Sequence, residues 1–347
     1  MQFDRLKSKI DAKLTMFIAD IDKQYSLSKI SPLISKSLRD FVLRKGKRIR
    51  PILFTIGYLG FSKRAAPGLY QSALSIELLH DFMLVHDDII DKSDKRRGKP
   101  SMHAMLNSHL KGYKKIKFNG QDLSIILGDI MYAIAINAFL SIKEDMVRKE
   151  QALKKFIDTA IYTGCGEFIE LINGANPIEK ITKQSIYRVY DYKTANYTFS
   201  TPLATGAILA GASSSQVDKL FNFGIYLGRA FQIKDDIIGL FEEEKKIGKS
   251  TLTDLQEGKK TLLVWYAYNH SNQKYKLVIK NVFSKAKVKK NDLLKIRNAI
   301  KRSGALDYAK KEINTLIKKA QATILSSRMK PTYKKTLSNY CVELLKL

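Results

Sequence analysis

Residues 70–91 read YQSALSIELLHDFMLVHDDIID. Leu74, Leu78, Phe82, Val85 and Ile89 recur at three- and four-residue intervals, which predicts a helix with one long apolar stripe. That stripe runs straight into Asp87, Asp88 and Asp91. Aspartate is a weak helix former, like charges one turn apart repel, and a carboxylate near a core loses several kcal/mol of solvation unless something compensates. The same arrangement returns at 231–238, FQIKDDII, where Asp235 and Asp236 close a second apolar phrase. Asp87 and Asp91 project from one helical face, so two such helices turned toward each other would converge several carboxylates on a small volume. All-oxygen ligands select hard cations, and Mg²⁺ in particular takes a few carboxylates together with phosphate oxygens and water. The paired motif therefore points to a divalent metal and a phosphorylated substrate, where one Asp-Asp alone would read as a cap or a surface patch.

Working outward, helical spacing continues in residues 41–60, 123–142, 149–172, 201–212 and 217–241, and no series of alternating short strands appears. Residues 125–142 and 202–212 are apolar nearly all round and are expected to be buried between other helices. Breaks at Ser31-Pro32, Ala66-Pro67-Gly68, 91–101, 111–120, Asn176-Pro177 and Glu257-Gly258 punctuate helices without marking a linker. The expectation is an all-α, single-domain helical bundle spanning 1–347.

The 347 residues are 45% hydrophobic and contain only 19 Gly and 7 Pro, which excludes disordered and collagen-like chains. Cys165 and Cys341 cannot build a disulfide framework, and no apolar leader or charge-free span of membrane length is read, so a cytoplasmic location is expected. The formal charge is +28, and residues 271–347 hold 20 Lys/Arg against 4 Asp/Glu. Such a field attracts nucleic acid, anionic membrane or phosphorylated small molecules. The lysines of this stretch fall opposite the apolar positions of helical phrases, so a solvated basic face is preferred to a nucleic-acid site, with peripheral contact to anionic membrane as a further expectation.

Cations stand at intervals suited to phosphates. Helical spacing puts Lys47 and Arg50 on one face, Arg96 and Arg97 follow the first acidic motif, and Lys193, Lys249 and Lys259 lie farther along. Gly248-Lys249-Ser250 is not a P-loop, because Glu243 stands where the first glycine is required. Gly164-Cys165-Gly166 lacks the third glycine of a dinucleotide loop, and the five histidines show no zinc spacing.

In order, GKRIRP (46–51), ELLHDFMLVHDDIID (77–91), RRGKPSMH (96–103), LGDIMYA (127–133), YKTANY (192–197), FQIKDDIIG (231–239) and GKSTLTDLQEGKKTLL (248–263) resemble the trans-isoprenyl diphosphate synthase, or polyprenyl synthetase, family across about residues 40–265. The resemblance implies an all-α fold around a deep central cavity, a homodimer, three Mg²⁺ ions, and condensation of isopentenyl diphosphate with an allylic diphosphate. By the same resemblance Asp87, Asp91 and Asp235 are metal ligands, with Asp88 and Asp236 completing the two motifs. Arg96, Lys193 and Lys259, with Lys249 beside them, match positions that hold the allylic diphosphate. Lys47, Arg50, His80 and Arg97 match the isopentenyl diphosphate pocket, and Thr194 and Gln232 match groups whose oxygens face the reacting carbon.

Phe82 lies five residues before Asp87, about 7.5 Å along a helix. An aromatic there, with Met83 and not a second aromatic next to it, resembles archaeal-type geranylgeranyl synthases and favours a C20 product over farnesyl C15. A non-catalytic partner subunit is the competing class. Three departures from the family pattern stand out: Gly239 in place of a third aspartate, Glu167 in place of the usual Gln, and extra basic residues near 105–122. The likeness fades beyond about residue 270.

Overall fold

The computed structural model describes residues 2–242 and 251–345. Lys249, and with it the Gly248-Lys249-Ser250 segment, lies outside the described residues. The all-α expectation holds. Helices α1 (Gln2–Tyr25), α2 (Leu27–Ile30), α3 (Pro32–Val42), α4 (Ile49–Leu59) and α5 (Leu69–Ile90) come first. A hairpin of two-residue strands, β1 (Lys95–Arg96) and β2 (Lys99–Pro100), leads to α6 (Met102–Leu110), α7 (Gly120–Leu140) and α8 (Met146–Ala175). Then follow α9 (Lys183–Val189), a π-helix at Tyr190–Ser200, α10 (Thr201–Leu209) and α11 (Ser214–Phe241). The last are α12 (Thr253–Gln256), α13 (Leu262–His270), α14 (Gln273–Phe283), α15 (Lys290–Arg302), α16 (Ala305–Leu325) and α17 (Pro331–Leu345).

The chain divides into two compact units, Met1–Phe156 with Thr205–Ala212 and Ile157–Ala204 with Ser213–Leu347. The divisions fall inside α8, inside α10 and between α10 and α11, and at none of the sequence breaks. In the first unit α5 packs along α7, with α1 and α4 beside it, burying Ile10, Leu14, Leu53, Leu74, Leu78 and Met131 completely. Each such side chain contributes roughly 1.5–3 kcal/mol relative to exposure. In the second unit α11 lies between the π-helix and α16, where Phe199, Leu220, Phe223 and Leu227 are fully buried.

Local chemistry sets the ends of the elements. Pro32 opens α3 and Gly68, at φ 83°, precedes α5. Asn119 caps α7 through a reciprocal box with Asp122. Arg97 and Gly98 both take positive φ, the requirement of a two-residue hairpin turn, so the RRGK sequence makes the one strand pair among the described residues.

Two expectations are corrected. Residues 41–60 are not one helix: α3 ends at Val42 and α4 begins at Ile49, because Arg48 sits in left-handed conformation (φ 52°) with its side chain drawn inward. Lys47 and Arg50 accordingly do not share a helical face. Residues 125–142 are not buried all round, since Ile125, Ile126 and Leu140 are exposed on the side of α7 away from α5. That helix is long and apolar enough to cross a membrane. In this fold it carries Asp129, 3.8 Å from His86 on α5, and packs along α5.

Candidate active site

In the first unit the candidate residues grow from the end of α5. Asp87 and Asp91 are joined by one helical turn, with the Asp91 amide donating to the Asp87 carbonyl at 2.8 Å. Asp88 is fully buried, and Arg96 donates to its Oδ1 through Nε at 2.7 Å and through Nη2. Burial raises the Asp88 carboxyl despite that arginine, with the Asp87 charge adding to the rise. Its Oδ2 takes no hydrogen bond among the described residues. Arg96, expected on the allylic diphosphate, is thus also the partner that holds Asp88 in place.

Two turns earlier the expected isopentenyl diphosphate groups assemble around His80. Burial first, then the charges of Arg50 and Arg97, hold the imidazole well below its usual range, so His80 is neutral. Gly46 lies close to Arg97, whose Nη1 would stand 3.6 Å from a side chain there. Lys47 is exposed on the same loop. Arg50 and Arg97 therefore both lie near His80.

What fixes that loop was not read from the sequence. Arg48, 3% exposed, donates to Glu77 at 2.7 Å, to Asp11 at 2.9 Å and to the Arg44 carbonyl at 2.8 Å. Asp81, fully buried, lies 3.8 Å from Arg97, and neither of its oxygens takes a hydrogen bond among the described residues. Burial, and then Glu77, push its carboxyl up. The signal was present in the acidic residues Glu77 and Asp81 inside an apolar helix phrase, a pattern that demands partners.

Phe82 is half-buried between α5 and α7. Its ring centre is 4.6 Å from that of His86 and 5.3 Å from that of Tyr132, and Met83 beside it is also half-buried. Tyr132 was overlooked within LGDIMYA.

In the second unit the candidate residues rest on α8, the π-helix and α11. Close backbone approach is built in: a side chain at Gly228 would come within 2.4 Å of Ala195, and one at Gly166 within 2.7 Å of the Lys193 amide. This packing sets Thr194 against α11, where its hydroxyl donates to Gln232 Oε1 at 2.7 Å. Gln232 donates to Asp236 at 2.9 Å, Tyr190 donates to the other Asp236 oxygen, and the Leu262 amide donates to Tyr190 at 3.0 Å. Burial pushes the Asp236 carboxyl up to about 8. Asp235, its neighbour, is exposed.

Lys193 sits between Glu167 and Glu170, the latter at 2.5 Å. Burial would raise the Glu170 carboxyl, but Lys193 and Lys259 outweigh it and hold it low. Lys259 reaches Glu257 at 2.6 Å and Asp254 at 3.6 Å. Glu167, noted as a departure, thus has a defined partner in Lys193. At Gly239 a side chain would meet Asp254 Oδ2 at 3.0 Å, so a carboxylate from α12 lies against the position of the absent aspartate.

Among the described residues no three His, Cys, Asp or Glu side chains form a ready ligand cluster. Each acidic motif is an incomplete oxygen shell, and the unbonded Asp88 Oδ2 lies beside the first. Such a donor set fits a hard cation that keeps places for phosphate and water.

The polyprenyl synthetase family model matches residues 31–300. This chain belongs to that family. As a polyprenyl synthetase it is a prenyltransferase, and its relatives agree. It is 32% identical to geranylgeranyl diphosphate synthase of Sulfolobus acidocaldarius over 84% of this chain and 83% of that one. It is 31% identical to geranylfarnesyl diphosphate synthase of Aeropyrum pernix, covering 80% and 82%. Geranylgeranyl pyrophosphate synthase of Corynebacterium glutamicum, solved with isoprenyl diphosphate and magnesium, superposes with a TM-score of 0.89 at 25% identity over 100% of this chain and 99% of that one.

Proposed function

We propose that this polyprenyl synthetase is a Mg²⁺-dependent short-chain enzyme that condenses isopentenyl diphosphate with allylic diphosphates and stops at geranylgeranyl diphosphate, C20. The observation that carries the chain length is Phe82, braced by Tyr132 and His86 one and a half turns before Asp87. Relatives range from geranylgeranyl to octaprenyl synthases, so family membership alone leaves the length open.

Asp87, Asp91 and Asp235 would hold the metal, three ions in all, which when bound neutralises the diphosphate and acts as a Lewis acid on its oxygens. Arg96, Lys193 and Lys259 bind the allylic diphosphate and stabilise the charge it gains as its carbon-oxygen bond breaks. Arg50, Arg97, Lys47 and neutral His80 orient isopentenyl diphosphate so that its double bond attacks the allylic cation. The Thr194 and Gln232 oxygens, fixed by their mutual bond and by the bond from Gln232 to Asp236, face that cation. A carbon-carbon bond forms, and the proton lost from isopentenyl carbon passes to the departed diphosphate. Apolar walls keep out the water that would quench the cation.

The exposed apolar faces of α7 (Ile125, Ile126, Leu140) and α8 (Ile161, Phe168, Ile172) support a second copy of the chain as partner, and light scattering should return twice the mass of the chain. The functional test is product analysis with labelled isopentenyl diphosphate, each short allylic diphosphate in turn, and Mg²⁺ or EDTA. A Mg²⁺-dependent C20 product is expected; turnover in EDTA would contradict the metal assignment, and no product from any primer would favour a non-catalytic subunit.

A further inference from the structure

Every residue from Lys111 to Asn119 is exposed, including Tyr113, Ile116 and Phe118, at 58%, 38% and 46%. This is a poor arrangement for a connecting loop in water, where three large apolar side chains within six residues normally turn inward. Lys111, Lys114, Lys115 and Lys117 alternate with them, and between Asp94 and Asp122 the chain carries eight Lys/Arg and no acidic residue. The loop is held at both ends. The Tyr113 amide donates to the Leu110 carbonyl, Asn119 caps α7, and the Gly120 amide donates to Asn107 on α6 at 2.7 Å.

Its place follows from the helix pairing. Ser72, near the start of α5, donates to the Phe139 carbonyl near the end of α7 at 2.9 Å, while Gly128 sits against His86. The two helices are antiparallel, so the start of α7 and the loop before it lie at the end of α5 that carries Asp87 and Asp91.

We propose that residues 111–119 dock this end of the enzyme on an anionic lipid surface, with the lysines on headgroup phosphates and Tyr113, Ile116 and Phe118 in the interfacial layer. The combination favours lipid. Steering of free diphosphates would use the lysines and leave the apolar trio without a purpose, and the aliphatic Ile116 offers no stacking face to nucleic acid. Docking here would bring the diphosphate-handling end to the phase that takes up a prenyl product. The proposal is independent of chain length.

The test is sedimentation of the full-length protein with phosphatidylcholine vesicles, with and without phosphatidylserine. Binding is expected only with phosphatidylserine. Lys114→Gln, Lys115→Gln and Lys117→Gln together should weaken it ~100-fold. Ile116→Ser with Phe118→Ser should weaken it about tenfold or more, and both variants should keep wild-type turnover in vesicle-free buffer. Neutralising the same number of exposed lysines on α16, Lys310, Lys311 and Lys318, should cost less than about threefold, because they lie outside the docking loop. An equal loss from the α16 variant, no loss from the apolar pair, or a loop variant impaired only toward duplex DNA would each overturn the proposal.

Discussion

At the scale of single residues, each acidic motif contains one carboxylate that is buried and held by hydrogen bonds. Asp88 is gripped by Arg96 and Asp236 by Tyr190 and Gln232, and Asp87, Asp91 and Asp235 are the proposed metal ligands. Asp87→Ala or Asp235→Ala should therefore lower turnover about a hundredfold or more while the melting temperature stays near wild type. Asp236 makes a separate prediction. Its carboxyl is raised by burial to about 8, whereas in the unfolded chain it titrates at about 4. The folded state holds the extra proton across that window, so this group's contribution to stability is full below about pH 4 and is lost as pH rises through about 8. Urea unfolding of Asp236→Asn should show a flatter decline over that range than wild type; an unchanged slope would show that Asp236 is not the titrating group.

At the scale of elements, the helical phrases around both acidic motifs were legible because a stripe of apolar residues at fixed spacing is a local property. The interruption at 43–48 was not, because it depends on Arg48 reaching Asp11 and Glu77, 37 and 29 residues away. Removing that guanidinium leaves Glu77 buried without its charge partner, and Arg48→Ala should cost ~3–5 kcal/mol in a denaturant titration. It should also raise KM for isopentenyl diphosphate more than it lowers kcat, since Lys47 and Arg50 flank the position it fixes. The π-helix at Tyr190–Ser200 was equally invisible, since its wider turn rests on glycines of α8 and α11 that let the neighbouring backbones close in. Tyr132 on α7 braces Phe82, and Tyr132→Ala should shift part of the product beyond C20, as read by chromatography of the dephosphorylated prenols.

At the scale of the whole molecule, the order of seven motifs made the family readable although each is weak alone, and the family model confirms membership across residues 31–300. Composition misled in one place. An all-round apolar α7 reads as a core helix, yet Ile125, Ile126 and Leu140 face outward, because hydrophobicity marks surface to be covered and does not say by what. Gly239 likewise reads as a lost carboxylate until Asp254, fifteen residues on, is seen against it. The sequence-remote sources of both features explain why spacing alone could not supply them.

The proposed chain-length stop at Phe82 lies on the same helix as the carboxylates of the first acidic motif. The most direct measurement compares the products of wild type and Phe82→Ala, with labelled isopentenyl diphosphate, farnesyl diphosphate as primer and Mg²⁺. The account predicts C20 from wild type and longer chains from the variant at comparable total incorporation. Identical product distributions from the two proteins would contradict it.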